Sequence, residues 1–132
     1  MVKYKCELAL LIDNNATDNY AHKLAIIESQ LAREVKVVTS GKDAIDYLRH
    51  ENNPVPQIIL FDVLIPIVEG QVFLHEFASL SHPHKNEMKI VILTYHEHDT
   101  HVEKLLVNQE ITCVESKPLT MDSFDRLGAI MC

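Results

Sequence analysis

Glycine is scarce in this chain: only Gly41, Gly70 and Gly128 occur in 132 residues. That leaves no room for a dinucleotide fingerprint or a P-loop, and so excludes nucleotide binding by either common device. Cysteine is equally rare, and its odd count (Cys6, Cys113, Cys132) shows no paired spacing, so a disulfide framework is not expected. With no signal peptide ahead of the first apolar run, a cytoplasmic location is the natural reading. Cys132 is not followed by a prenylation tail. Positive charge is also in short supply. Twelve Lys and Arg stand against 19 Asp and Glu, a net charge of −7, which argues against a nucleic-acid surface. No apolar run approaches the roughly 20 residues that span a bilayer, so no membrane contact is expected. Repeats, low-complexity segments and a serine in a nucleophile-elbow context are absent as well.

What remains is rich in apolar residues, 47% of the chain, and of a length that suits one domain over residues 1–132 with no output domain attached. Short apolar runs alternate with helical patterns. The strand candidates are Leu8–Ile12, Val35–Thr39, Ile58–Phe61, Lys89–Leu93 and Ile111–Val114. They lack a clean polar alternation, as expected of strands covered on both faces. Between them, Ala21, Leu24, Ile27 and Leu31 form a stripe over Asp18–Arg33, with Asn15 or Thr17 as cap. Ser40 with Asp43, and Thr100 with Glu103, resemble capping boxes that open further helices. Gln71–Leu80 sets Phe73 and Phe77 four apart, and a last helix from about Met121 carries Phe124, Leu127 and Met131. Strict strand–helix alternation predicts an α/β fold, a doubly wound parallel sheet with right-handed crossovers. Its ligand site should lie at the carboxyl ends of the strands.

Polar residues stand at those ends, where a buried strand has no use for them. "LLIDNN" closes the first strand on Asp13, "ILFD" the third on Asp62, and "ILTY" the fourth on Thr94; "SKPL" sets Lys117 just past the fifth. Two carboxylates with backbone oxygen make a hard site suited to Mg²⁺. A lysine and a hydroxyl beside them can hold phosphoryl oxygens, and one carboxylate can serve as nucleophile.

"DVLIPIVEG" spaces Asp62, Pro66 and Gly70 as Asp, three residues, Pro, three residues, Gly. In this it resembles the receiver-domain signature of two-component response regulators. Asp13, Thr94 and the Lys117–Pro118 pair complete the family's set in order, and the resemblance spans residues 7 to 131. It implies a flavodoxin-like (βα)5 fold with strand order 2-1-3-4-5. It further implies that Asp62 accepts a phosphoryl group from a sensor histidine kinase or phosphotransfer protein, taking part in its own phosphorylation and dephosphorylation. Asp13, Asp62 and the backbone carbonyl of Leu64 would hold Mg²⁺. Thr94 and Lys117 would contact the phosphoryl group, and a cis bond would precede Pro118. Output would be protein binding through the face of the fourth helix, fifth strand and fifth helix.

Three departures from the family pattern stand out. Asn14 replaces the second acid of the usual pair and brings no charge to the metal. Removing a unit charge about 4 Å from a dication forfeits several kcal/mol at an effective dielectric near 20, so weakened Mg²⁺ binding is expected unless Asn15, Thr17 or Asp18 compensates. Val114 stands where the family has its switch aromatic, and Tyr95 follows Thr94 where a small residue is usual. These favour, as the alternative, a degenerate receiver that binds partners independently of phosphorylation. A haloacid-dehalogenase-type phosphatase would need a second acid where Leu64 stands. The histidines of "HEHDTH" (His96, His98, His101) fit a solvated loop better than a zinc site, because Thr100 stands where a metallo-β-lactamase-like motif needs Asp. His82 and His84 read as a polar surface connection.

Overall fold

The computed structural model describes residues 3–62, 67–95, 103–105 and 107–130. Five strands form one parallel sheet: β1 (Cys6–Ile12), β2 (Ala32–Val38), β3 (Ile58–Asp62), β4 (Lys89–Thr94) and β5 (Ile111–Ser116). Their order is β2-β1-β3-β4-β5, as the resemblance implies. Among the described residues the helices are α1 (Ala16–Glu28), α2 (Gly41–Arg49), α3 (Ile67–Ala78), the helical residues 103–105 (α4) and α5 (Met121–Ile130). A single 3₁₀ turn, Lys85–Glu87, precedes β4.

Side chains on the central strands alternate between two cores. Leu10 and Ile12, Ile59 and Phe61, and Ile90 and Ile92 face one cluster, which α2 and α3 complete with Ile45, Leu48, Phe73 and Phe77. Ala9 and Leu11, Ile58 and Leu60, and Val91 and Leu93 face the other, completed by Ile26 of α1 and by Phe124 and Leu127 of α5. Period-two side chains with both faces covered explain why these strands read as unbroken apolar runs. Gly70 lies in the first turn of α3, where a Cβ would stand 3.3 Å from the Phe61 ring. The glycine of the signature therefore lets α3 pack closely on the sheet.

The first helix differs from expectation. It ends at Glu28, not Arg33, because Gln30 adopts a positive φ of 66° and the chain turns directly into β2, which contains Arg33. It begins at Ala16 rather than Asp18, and of the two expected caps Asn15 serves, its side chain accepting the Asp18 N–H at 3.0 Å. The anticipated stripe is out of phase. Ala21 and Leu24 are exposed, Leu31 lies beyond the helix, and the buried face carries His22 and Ile26. α3 likewise begins before Gln71 and ends short of Leu80. The Ser40 cap holds, with its hydroxyl accepting the Asp43 N–H at 3.0 Å. Thr100 and Met131 fall outside the described residues.

Candidate functional site

Strand register builds the site. Ile12 pairs with Phe61, so Asp13, one residue on, comes level with Asp62 at the end of the neighbouring strand. Asp62 in turn pairs with Leu93, and Thr94 with Ser116, which sets Lys117 just beyond the sheet edge. The order of strands reverses between β1 and β3, the crevice where such folds bind ligands. Asp13, Asp62, Thr94 and Lys117, from four separate strand ends, are all buried.

The centre of the site is an ion pair. Lys117 Nζ donates to Asp62 Oδ2 at 2.5 Å, and both side chains are fully shielded from solvent. The lysine is anchored through its backbone, whose N–H donates to the Thr94 carbonyl at 2.7 Å. The peptide bond to Pro118 is cis, as expected. Asp18 reaches toward the same lysine, its Oδ2 lying 4.0 Å from Nζ. Of the three residues considered as compensation for Asn14, Asp18 is thus the one whose charge comes near the site, and Asn14 itself is exposed. Tyr95 lays its half-exposed ring over the lysine, with Nζ 4.4 Å from the ring centroid. The lysine therefore sits between a carboxylate and an aromatic face.

Asp13 is held by its surroundings. Its Oδ1 accepts the Asn15 N–H at 2.9 Å, and its carbonyl accepts from Asn19 Nδ2 at 3.0 Å. Burial on its own pushes the carboxyl up, but His22, the Asn15 N–H and the Lys117 charge together hold it below the usual carboxylate range. It is ionised at neutral pH. His22, on the buried face of α1, brings its Nδ1 to 3.7 Å from Asp13 Oδ2. Sequence reasoning missed this residue. Its only signal was position, four residues after Asp18 on a helix whose start had to be known to about one residue.

Leu64 and Pro66 lie outside the described residues, as do His96, His98 and His101. Val114 lies on β5, partly buried against the α2–α3 core. His84 pairs with Glu87 at 2.7 Å on the surface, near His82, in keeping with a polar connection.

A fold of this order, with two acids, a hydroxyl and a lysine gathered at its switch point, defines a receiver-type module, and comparison with known proteins agrees. The family model described as "Response regulator receiver domain" matches residues 9–126. The chain belongs to that family, the receiver domains of two-component response regulators. Among curated relatives, the regulatory protein LuxO of Vibrio vulnificus is 36% identical over 76 residues, 57% of this chain. The chain spans only 15% of the length of that relative. A two-component response regulator from Cytophaga hutchinsonii superposes with a TM-score of 0.80 at 25% identity, covering 95% of this chain and 96% of that one. The receiver domain of the sensor histidine kinase PA1611 from Pseudomonas aeruginosa PAO1, solved with a magnesium ion coordinated in its active-site cleft, gives 0.74 at 18% identity over 95% and 96%. At that identity the likeness speaks for the fold.

Among the described residues, no helix is long and apolar enough to cross a membrane.

Proposed function

We propose that this receiver is a phosphorylation-operated signalling module with Asp62 as phosphoacceptor. The observation that carries the reading is the buried Asp62–Lys117 pair beside the ionised Asp13 carboxylate. Two carboxylates against one lysine leave the pocket net negative, and among the described residues Asp13 Oδ2 is buried without a hydrogen-bond partner. Such a pocket fits a divalent cation. Asp13 and Asp62 would hold Mg²⁺, helped by the backbone carbonyl of Leu64 and by Asn14, an uncharged and hence weak contributor. The ion when bound supplies positive charge for phosphoryl oxygens.

The chain's own residues do the rest. An Asp62 carboxylate oxygen attacks the phosphorus of a phosphohistidine; the O–P bond forms as the donor's N–P bond breaks, and the departing imidazole takes up a proton. Lys117 exchanges its Asp62 oxygen for a phosphoryl oxygen, and Thr94 offers its hydroxyl. The donor is a sensor histidine kinase or phosphotransfer protein of the cytoplasm, and output is a protein partner docked on the α4–β5–α5 face. Asp62 and its neighbours also serve the hydrolysis that resets the module. Incubation with acetyl phosphate and Mg²⁺ should add one phosphoryl mass to the intact chain, and Asp62→Asn should abolish it. No adduct with any donor would overturn the reading.

Tyr95 supports a second reading. Its ring on Lys117 occupies the approach to the pair, and Val114 provides no aromatic switch. In that case the chain is a degenerate receiver, whose partner binding is indifferent to phosphodonor and to Asp62→Asn.

A further inference from the structure

α1 brings a histidine to its buried face at the site, and nothing in the described structure satisfies the ring nitrogen that faces Asp13. His22 is 9% exposed, and its Nδ1 has no hydrogen-bond partner among the described residues. The nearest oxygen of Asp13, Oδ2, is buried and equally unpartnered. Their 3.7 Å separation is too long for a hydrogen bond, so the two atoms do not satisfy each other. Buried polar groups are seldom left so, and two facing one another call for a third party. One ligand atom each from Asp13, His22 and Asp62 lies within 4.8 Å of the other two.

The donor types say what that third party is. Oxygen alone suits Mg²⁺, whereas an imidazole nitrogen suits Zn²⁺ and its transition-metal neighbours. Three protein ligands with an open fourth position is a common tetrahedral zinc arrangement. With bonds of about 2.0–2.1 Å, the edges of such a tetrahedron are about 3.3–3.4 Å. The Asp13–His22 pair is a few tenths of an ångström wider than that, and a pair at the 4.8 Å limit would have to close by about 1.4 Å through side-chain rotation. Asp62 has two carboxylate oxygens, so Lys117 and a cation can share it.

We propose that His22 is a metal ligand, completing with Asp13 and Asp62 a three-donor site that prefers Zn²⁺ to Mg²⁺. The imidazole then supplies the coordination that the amide of Asn14 supplies poorly. This rests on the reading that Asp13 and Asp62 hold a cation, and it adds that the ion is selected by a residue outside the receiver signature.

The test is calorimetric titration of the full chain with Zn²⁺ alone and with Mg²⁺ alone. It compares the wild type with His22→Gln, which keeps size and polarity, and with Asp13→Asn. The surface histidines add a background of weak zinc sites, so the comparison between variants carries the result. We expect Zn²⁺ to bind at least about 100-fold more tightly than Mg²⁺. His22→Gln should lower Zn²⁺ affinity about 10- to 100-fold and leave Mg²⁺ within about threefold; Asp13→Asn should weaken both. A second readout needs no variant: Zn²⁺ should shift the ring-nitrogen NMR resonances of His22. Unchanged zinc affinity in folded His22→Gln, or an unmoved His22 ring, overturns the inference. If Mg²⁺ still binds and Asp62 is still phosphorylated, only the role of His22 has failed. If neither cation responds to Asp13→Asn and no phosphoryl adduct forms, the reading of the whole site has failed with it.

Discussion

Replacing Lys117 by Met tests whether the site is organised by charge. The lysine is the cation 2.5 Å from Asp62 Oδ2, with both side chains fully buried. Without it, Asp13 and Asp62 carboxylate oxygens remain within 4.8 Å of one another. Two unit charges at that distance repel by about 3.5 kcal/mol at an effective dielectric of 20. Removing one partner of a buried pair costs about 3–5 kcal/mol in general, so a loss of about 3–4 kcal/mol is expected in metal-free buffer. With a slope of about 1.5 kcal/mol per molar, the urea midpoint should fall by about 2 M. Adding Asp62→Asn to Lys117→Met removes the repulsion and should recover most of the loss. The pH dependence has a definite sign. In Lys117→Met the folded state raises a carboxylate pKa above its unfolded value near 4, so the folded protein binds the proton more tightly. The deficit should therefore shrink as pH falls from 7 toward about 5. Urea unfolding of the two single variants and the double variant closes the cycle. Additivity within about 0.5 kcal/mol, or a Lys117→Met cost below about 1 kcal/mol, refutes the electrostatic account.

Three further outcomes follow from packing and burial. Gly41→Ala would place a Cβ 2.9 Å from the Phe73 Cβ, forcing α2 and α3 apart. A net loss of about 1–2 kcal/mol by thermal unfolding is expected after the helix-propensity gain, and a neutral result would show that the helix start relaxes freely. Tyr95→Ala frees Lys117 from a ring–cation attraction of about 0.5–1 kcal/mol at this half-exposed position, so acetyl phosphate should label Asp62 about two- to fivefold faster. No gain in rate removes the support Tyr95 gives to the degenerate reading. Burial pushes the Cys6 thiol up to about 11, so it should resist alkylation in the native protein at pH 8. Because the folded state holds this proton more tightly, its contribution to stability is present below the ordinary thiol pKa and is lost as pH rises toward about 11.

The strands were legible because their composition and their burial agree. Unbroken runs such as Leu8–Ile12 and Ile58–Phe61 have no other use than a doubly covered sheet, and each observed strand contains most of its expected core. Some observed ends run further where polar residues carry the ladder on, as Glu115 and Ser116 do in β5, and β1 and β2 start earlier, at Cys6 and Ala32. Helix phase was harder. Apolar spacing continued through Ile27 to Leu31, although the chain had already turned at Gln30 and Leu31 belongs to the entry into β2. A stripe one residue out of phase cost little in fold recognition, but it hid His22, because a lone histidine has no spacing of its own to announce it.

The same parity accounts for why this histidine matters. Ala9, Leu11 and Asp13 follow one another on one face of β1, as Ile58, Leu60 and Asp62 do on β3, and both apolar pairs lie in the core shared with α1 and α5. The acids thus extend a buried apolar face past the point where apolar partners end, and α1 covers that extension. Ile26 meets the apolar part of the face; His22, one turn earlier, lies beside the acids. A leucine at position 22 would pack there, but it would put hydrocarbon in place of the polar ring that stands 3.7 Å from Asp13 Oδ2 and helps hold that buried carboxyl ionised. An imidazole keeps a polar atom against that oxygen while filling similar space. His22→Leu should therefore destabilise the protein in metal-free buffer even though it increases buried apolar surface. A stabilised variant in urea unfolding would show that the histidine is there for its volume alone.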